Sequence, residues 1–258
     1  MSFFTALSFL TTIPRPFRGE AGADEIGRSL IWFPVVGLVI GLILAGLNWL
    51  LGLFLPAAVV YGLLLVALVI ITGGLHLDGF ADTCDGIAGH KTVEERLRIM
   101  RDSRVGAFGV IGVFLLLLIK YVSLDSIPGN LMTTALVLMP VVSRWAMVYA
   151  ITAYPYARPS GLGQAFKHGA TGMRFIIATI ITVVVTLGVT YWANITYFYL
   201  ATAAIMLCVW VVTFCLAAWL KRKLGGLSGD SYGAVNEVAE VIVLIIIVML
   251  AQRQWFGV

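Results

Sequence analysis

The sequence predicts an all-α fold: a polytopic membrane helical bundle of about seven transmembrane helices, with short cytoplasmic or interfacial helices between them. Three observations predict it. Of 258 residues, 60% are hydrophobic and 12% charged, at a mean hydropathy of +1.00, whereas soluble domains are nearer half apolar and a quarter charged. Apolar runs recur along the whole chain at close to the length of about 20 residues that a span needs. Basic residues fall on alternate connections between those runs, the signature of loops held on the cytoplasmic side. No long polar stretch marks a separate soluble unit, so residues 1–258 read as one integral membrane domain.

At the N-terminus, Phe3, Leu7 and Leu10 recur at helical spacing and predict a short helix on or dipping into the membrane surface. Pro14, Arg15 and Pro16 interrupt this run and no early positive charge precedes it, which argues against a signal peptide. Spans are expected at 30–55, 57–75, 107–122, 131–153, 175–192, 197–220 and 238–251. Trp32, Trp49, Trp192, Tyr197 and Trp219 fall near segment ends, where aromatic side chains anchor helices at the interface. Of the 17 basic residues, all but Lys120, Arg144 and Arg253 lie on the N-terminal segment or on the connections after spans two, four and six. This puts the N-terminus inside and the C-terminus outside, with Lys120 and Arg253 on the outer side and Arg144 within a span. Among the acids only Asp125 is placed outside, so function is expected at the cytoplasmic face. The net charge of +4 is explained by these loops and gives no reason to expect nucleic acid. Cys84, Cys208 and Cys215 have neither metal-ligand spacing nor an obvious disulfide pattern.

The strongest chemical signal is the stretch from Gly73 to Gly86, which contains His76-Leu77-Asp78-Gly79-Phe80-Ala81-Asp82-Thr83-Cys84-Asp85. Asp78, Asp82 and Asp85 stand at i, i+4 and i+7, an arc of about 60° on a helix. Three carboxylates so close need a cation, and Mg²⁺ is the hard, oxygen-seeking ion that is held by carboxylates together with substrate phosphates. A solvated acidic helix end is the plain alternative, but acids at a membrane boundary are costly and usually functional. His76 points away from the aspartates and reads as a packing residue. Thr92 and Glu95 form a capping box, from which a helix is expected to run to Arg104. On it Val93, Leu97 and Met100 make an apolar stripe, while Arg98, Arg101 and Arg104 are candidates for phosphate and Asp102 for the metal side. Residues 76–106 are therefore the candidate active-site segment. Arg144 lies deep in the fourth span, where an arginine needs a partner or a polar cavity. Arg158 sits in a Gly- and Pro-containing connection. Asp230, Glu237 and Glu240 follow a glycine-rich stretch, where they could complete the acidic site, bind a sugar or base, or cap the last span.

The sequence HLDGFADTCDG, with residues 99–106 (IMRDSRVG) and 225–230 (GGLSGD), resembles the cobalamin synthase family, the adenosylcobinamide-GDP ribazoletransferases. The likeness runs from residues 9–14 to Glu240. It implies a Mg²⁺-dependent transferase in the cytoplasmic (inner) membrane with its active site facing the cytoplasm. Such an enzyme joins adenosylcobinamide-GDP to α-ribazole or its 5′-phosphate and releases GMP. With it, the residues are read as follows: Asp78, Asp82 and Asp85 for metal; Asp82, Asp85 and Asp102 for catalysis; Arg98, Arg101, Arg104, Arg144, Arg158, Asp230 and Glu237 for substrate. The general base and the oligomeric state stay open. Attack of a hydroxyl on a pyrophosphate needs alignment and charge neutralisation more than covalent help, which clustered acids with metal and arginines supply. Two other classes fit less well. A prenyltransferase would use two separated acidic motifs, such as Asp78–Asp85 and Asp230–Glu237. A transporter would show repeats and intramembrane acids, yet no internal repeat is visible and only Arg144 reads as a charge deep in a span.

Overall fold

The computed structural model describes residues 1–16 and 22–252. Seven long helices account for the apolar runs: α3 (Phe33–Gly52), α4 (Ala57–Thr72), α7 (Ala107–Asp125), α8 (Gly129–Ala153), α10 (Gly172–Trp192), α11 (Phe198–Leu224) and α12 (Gly229–Gln252). Five shorter ones, with a 3-10 turn at Leu30–Trp32, complete the order among the described residues: α1 (Ser2–Leu10), α2 (Ala23–Ser29), α5 (Leu75–Ile87), α6 (Val93–Ile99) and α9 (Leu162–Gly169). Six segments are long and apolar enough to cross a membrane by themselves. The seventh is α4, which reaches that standard together with α5, bent from it by 92°. At 1.5 Å per residue α4 is about 24 Å long, so it supplies the crossing while α5 turns across the end of the bundle. Among the described residues the only β pairing is an isolated bridge between Tyr156 and Leu227.

The chain packs around α8. That helix is covered by protein on nearly every side, mostly with apolar side chains, and 94% of its most apolar stretch is buried. Small residues let α3 close on it, because a Cβ at Gly41 would stand 2.6 Å from the Val137 Cα. By contrast α10 and α7 bury only 22% and 28% of their most apolar stretches. Their outward stripes, Ile176, Ile180 and Val184 on α10 and Phe108, Ile111 and Leu115 on α7, are exposed at near-helical spacing and face where lipid would be. Trp49, Trp192 and Tyr197 are exposed beside the short turns, and Trp32 and Trp219 near the opposite helix ends, as interfacial anchors are. At the N-terminus, α1 buries Ala6, Leu7 and Leu10 against the bundle, while Phe3 is partly covered.

Three short turns, α3–α4, α7–α8 and α10–α11, gather at one end. Both termini of the α5–α6 excursion, α9 and the α11–α12 turn gather at the other, with the N-terminal segment. The alternation of basic residues read from the sequence follows this division; Arg18 and Arg253 lie outside the described residues.

Three features differ from expectation. Helix α12 begins at Gly229, well before residue 238, because the Ser228 hydroxyl accepts the Ser231 N–H at 3.2 Å and caps it. Asp230 and Glu237 are thus helical rather than part of a connecting loop. Helix α6 does have its capping box, but it ends at Ile99 instead of reaching Arg104. There the Asp102 carboxylate accepts the Arg104 backbone N–H at 3.1 Å, an Asx turn that redirects the chain. Lys120, expected on the outer side, is buried inside α7 at 1% exposure.

Candidate active site

The site begins at a glycine pair. Gly73 and Gly74 have φ of 61° and 69°, a left-handed conformation that glycine takes without steric cost. Gly73 ends α4 and the chain swings into α5. There a second pair of glycines sets the packing. A Cβ at Gly79 would lie 2.9 Å from both the Cα and the carbonyl oxygen of Asp230, and one at Gly233 would lie 3.0 Å from the His76 carbonyl oxygen. Helices α5 and α12 therefore meet backbone to backbone, and the acidic start of α12 rests on the acidic face of α5.

This crossing assembles Asp78, Asp82 and Asp230. Partial burial, then the negative charges of Asp78 and Asp230, push the Asp82 carboxyl up to about 7, with Arg158 opposing them. Arg158 donates to Asp230 at 2.6 Å. Beside it a cleft of about 240 Å³ is lined by Arg98, Arg101 and Arg158, with one carboxylate, Glu94, and with Leu97, Ala157 and Pro159. An acidic trio thus adjoins three guanidinium groups, the chemistry of a cation site next to an anion site. Among the described residues no three His, Cys, Asp or Glu side chains are arranged to hold a metal ion unaided.

The other sequence candidates go elsewhere. Both oxygens of Asp85 are engaged by the start of α7, accepting the Gly106 N–H at 2.8 Å and the Gly109 N–H at 2.9 Å. A carboxylate there stabilises the positive end of the helix. Asp102 and Arg104 pair with each other at the surface, at 2.7 Å. That pairing holds the Asp102 carboxyl down to about 2, which makes it a poor proton acceptor.

Arg144 and Glu237 belong to a buried ionic cluster. Lys120 on α7 reaches Glu237 at 2.6 Å and Glu240 at 2.5 Å, and Arg144 on α8 pairs with Glu240. Asn236 donates to Glu240 at 3.2 Å. Two cations and two anions balance. Arg144 was expected to meet substrate, or a carboxylate such as Asp102 or Glu237; its partner is Glu240. Arg144 is also not alone in charge within a span, because Lys120, Glu237 and Glu240 accompany it. Hydropathy hid Lys120, although a lysine in one span and glutamates at i, i+3 in another are the pattern that a buried pair leaves. Glu237 is spent here, so Asp230–Glu237 does not form the second acidic motif a prenyltransferase would need.

The fold and site define an integral membrane protein that presents clustered carboxylates and arginines at one end of a helical bundle. Comparison with known proteins narrows this class. The family model described as cobalamin-5-phosphate synthase matches residues 2–248. A curated relative from Geotalea daltonii, named adenosylcobinamide-GDP ribazoletransferase, is 41% identical over 252 residues, covering 97% of this chain and 98% of its own length. Relatives of the same name from Roseiflexus sp. and Pseudomonas syringae are 40% identical over 239 residues and 36% over 257. These cover 93% and 97% of this chain and 86% and 100% of their own lengths. The chain belongs to the cobalamin-5-phosphate synthase family. No solved structure matches it.

Proposed function

We propose that this chain is a Mg²⁺-dependent transferase that joins adenosylcobinamide-GDP to α-ribazole or its 5′-phosphate, in the cytoplasmic membrane and at its cytoplasmic face. The observation that carries this reading is the juxtaposition of Asp78, Asp82 and Asp230 with the cleft of Arg98, Arg101 and Arg158. Family membership supports the reaction, and the basic residues on alternate connections support the facing.

The donor set fits the ion. Mg²⁺ takes hard oxygen ligands and is usually bound through one or two carboxylates plus substrate phosphates. Asp78 and Asp82, with Asp230 beside them, offer such oxygens, and their mutual repulsion is what a cation would relieve. Asp85 is the weaker candidate, since α7 already occupies both its oxygens. When bound, the ion supplies positive charge to the pyrophosphate.

The residues of the chain do the rest. Release of GMP means that the attacked phosphorus is the one on the corrinoid side. A bond forms from the ribazole hydroxyl oxygen to that phosphorus, and the bond to the bridging oxygen breaks. GMP leaves with that oxygen, and the hydroxyl proton passes to a carboxylate of the acidic trio. Arg98, Arg101 and Arg158 hold phosphate oxygens and stabilise the departing charge. Purified protein in detergent should release GMP from adenosylcobinamide-GDP only when α-ribazole or its phosphate is added. Release that ignores the ribazole, or none at all, would defeat the proposal.

A further inference from the structure

A second cavity, of about 170 Å³, opens beside Asp78 and Asp230 and shares no lining residue with the arginine cleft. Asp78 and Asp230 line its polar edge, and Phe9, Phe166, Met147 and Ile151 line its apolar body. The rings of Phe9 and Phe166 stand 4.5 Å apart between centroids and are tilted by 48°, so one wall is a pair of contacting aromatic rings. Two further lining residues, His76 and Tyr232, are 3% and 4% exposed. Both ring nitrogens of His76 and the Tyr232 hydroxyl are buried without a hydrogen-bond partner. Buried polar groups are normally satisfied, and each exception asks for an explanation. Here three orphaned atoms border a cavity next to the reacting groups.

From this we infer that the cavity is the subsite for the planar base of the nucleoside acceptor, and that His76 and Tyr232 are its specificity-determining residues. The inference rests on the transferase reading and names where its acceptor sits. Size agrees, since a dry engineered cavity of about 150 Å³ accepts benzene, and a bicyclic base entering through the open edge needs somewhat more. Chemistry then chooses between the two bases in the reaction. Guanine carries polar atoms around most of its edge and would leave several unpaired against Phe9, Met147, Ile151 and Phe166, at a cost for each. A benzimidazole-type base has an apolar rim and one free ring nitrogen. It buries its rim against those side chains and offers that nitrogen to the Tyr232 hydroxyl or to His76. Position agrees as well: Asp78 and Asp230 line the cavity, Arg158 lines the arginine cleft and pairs with Asp230, and the two spaces share no lining residue, so acceptor and nucleotide have separate spaces beside the acids.

The test compares Michaelis constants for the two substrates. Wild-type protein must first show GMP release that depends on α-ribazole; without it the transferase reading itself fails. Given that activity, Met147→Phe, which fills the cavity, should raise the KM for α-ribazole by about tenfold, the loss of roughly 1.4 kcal/mol of binding. The KM for adenosylcobinamide-GDP should stay within about twofold by the same conversion. Tyr232→Phe should weaken α-ribazole in the same direction and change the preference among bases that differ at the ring nitrogen. A rise confined to the corrinoid nucleotide would assign the cavity to guanine and overturn the inference, as would unchanged constants for both. A measurement on unmodified protein guards against variants that misfold. Ligand-observed NMR with free benzimidazole and with guanosine should show saturable contact for benzimidazole. Contact for guanosine alone, or for neither, would overturn the assignment.

Discussion

Arg144 on α8 and Glu240 on α12 form an ion pair from which solvent is fully excluded. Lys120 bridges Glu240 to Glu237, so four formal charges sum to zero inside the bundle. Such a cluster is held by its balance, since one unpaired charge left in a dry interior costs several kcal/mol. Arg144→Met should therefore lower stability by about 3–5 kcal/mol, read as lost monodisperse protein after solubilisation. Arg144→Met combined with Glu240→Gln removes one charge of each sign and should recover much of it. A single variant as stable as wild type would refute this structural role.

The contact between Gly79 and Asp230 predicts a different failure. Alanine at 79 would place its Cβ 2.9 Å from backbone atoms of Asp230, which cannot rotate away. Overpacking of this kind costs about 1–3 kcal/mol. The larger effect should be on rate, because displacing reacting groups by about 1 Å can cost about 10²-fold. Gly79→Ala should thus assemble in the membrane yet release GMP slowly. Gly46→Ala, where a Cβ would meet nothing within 4 Å, is the control.

Asp82 and Asp85 lie on the same helical arc but should behave differently. Asp85→Ala strips the start of α7 of an acceptor for two backbone N–H groups. The expected cost is about 1–2 kcal/mol, as for a lost helix cap, seen as a lower melting temperature with Mg²⁺ affinity kept. Asp82→Asn should instead leave melting near wild type and abolish most Mg²⁺-dependent turnover. If Asp85→Ala eliminates Mg²⁺ binding while melting normally, the roles are reversed.

Much of this architecture is legible in the sequence. Apolar runs locate the spans, the alternating basic connections sort their ends, and Asp78, Asp82 and Arg158 are already candidate residues before the structure brings them near one another. What sequence reading loses is partnership. Asp85 shares the periodicity of Asp78 and Asp82, but nothing in that spacing reveals that Gly106 and Gly109, more than twenty residues on, claim its oxygens. Lys120 looks like a loop charge because charge counts ignore which helix face it occupies. Residues 229–237 look like a loop because glycine and polar residues lower the hydropathy, whereas capping by Ser228 and contact with α5 make them helix. Tyr232 carried no signal of its own; only burial without a partner marks it.

The arginine cleft yields a graded prediction. Arg98 and Arg101 line it but form no ion pair among the described residues, so they are available to phosphate. Hydrogen bonds to charged groups are worth about 1.5–3 kcal/mol. Arg98→Gln or Arg101→Gln should raise the KM for adenosylcobinamide-GDP by tenfold or more, about 1.4 kcal/mol for each tenfold. Arg104→Gln should change it little, since Arg104 is paired with Asp102 at the surface. Equal effects at all three positions would mean that the basic residues act only as a diffuse field.

The final prediction joins metal and pH. Without a cation, burial and the charges of Asp78 and Asp230 raise the Asp82 carboxyl to about 7. A carboxyl raised on folding favours its protonated form, so this contribution to stability is present at low pH. It is lost as pH rises through the folded value of about 7. EDTA-treated protein should therefore melt at a higher temperature near pH 6 than near pH 8, with both conditions set to bracket that value. Mg²⁺ has the opposite demand, because it needs the ionised carboxylate and its binding releases the proton. Adding Mg²⁺ should raise the melting temperature more near pH 8 than near pH 6, and half-saturation should need more metal as pH falls. Asp82→Asn carries no proton to release, so both pH dependences should flatten. Turnover should vanish in EDTA and return with Mg²⁺. A wild-type protein whose melting ignores Mg²⁺ at every pH, or which turns over fully in EDTA, would show that the aspartates on α5 hold no catalytic metal.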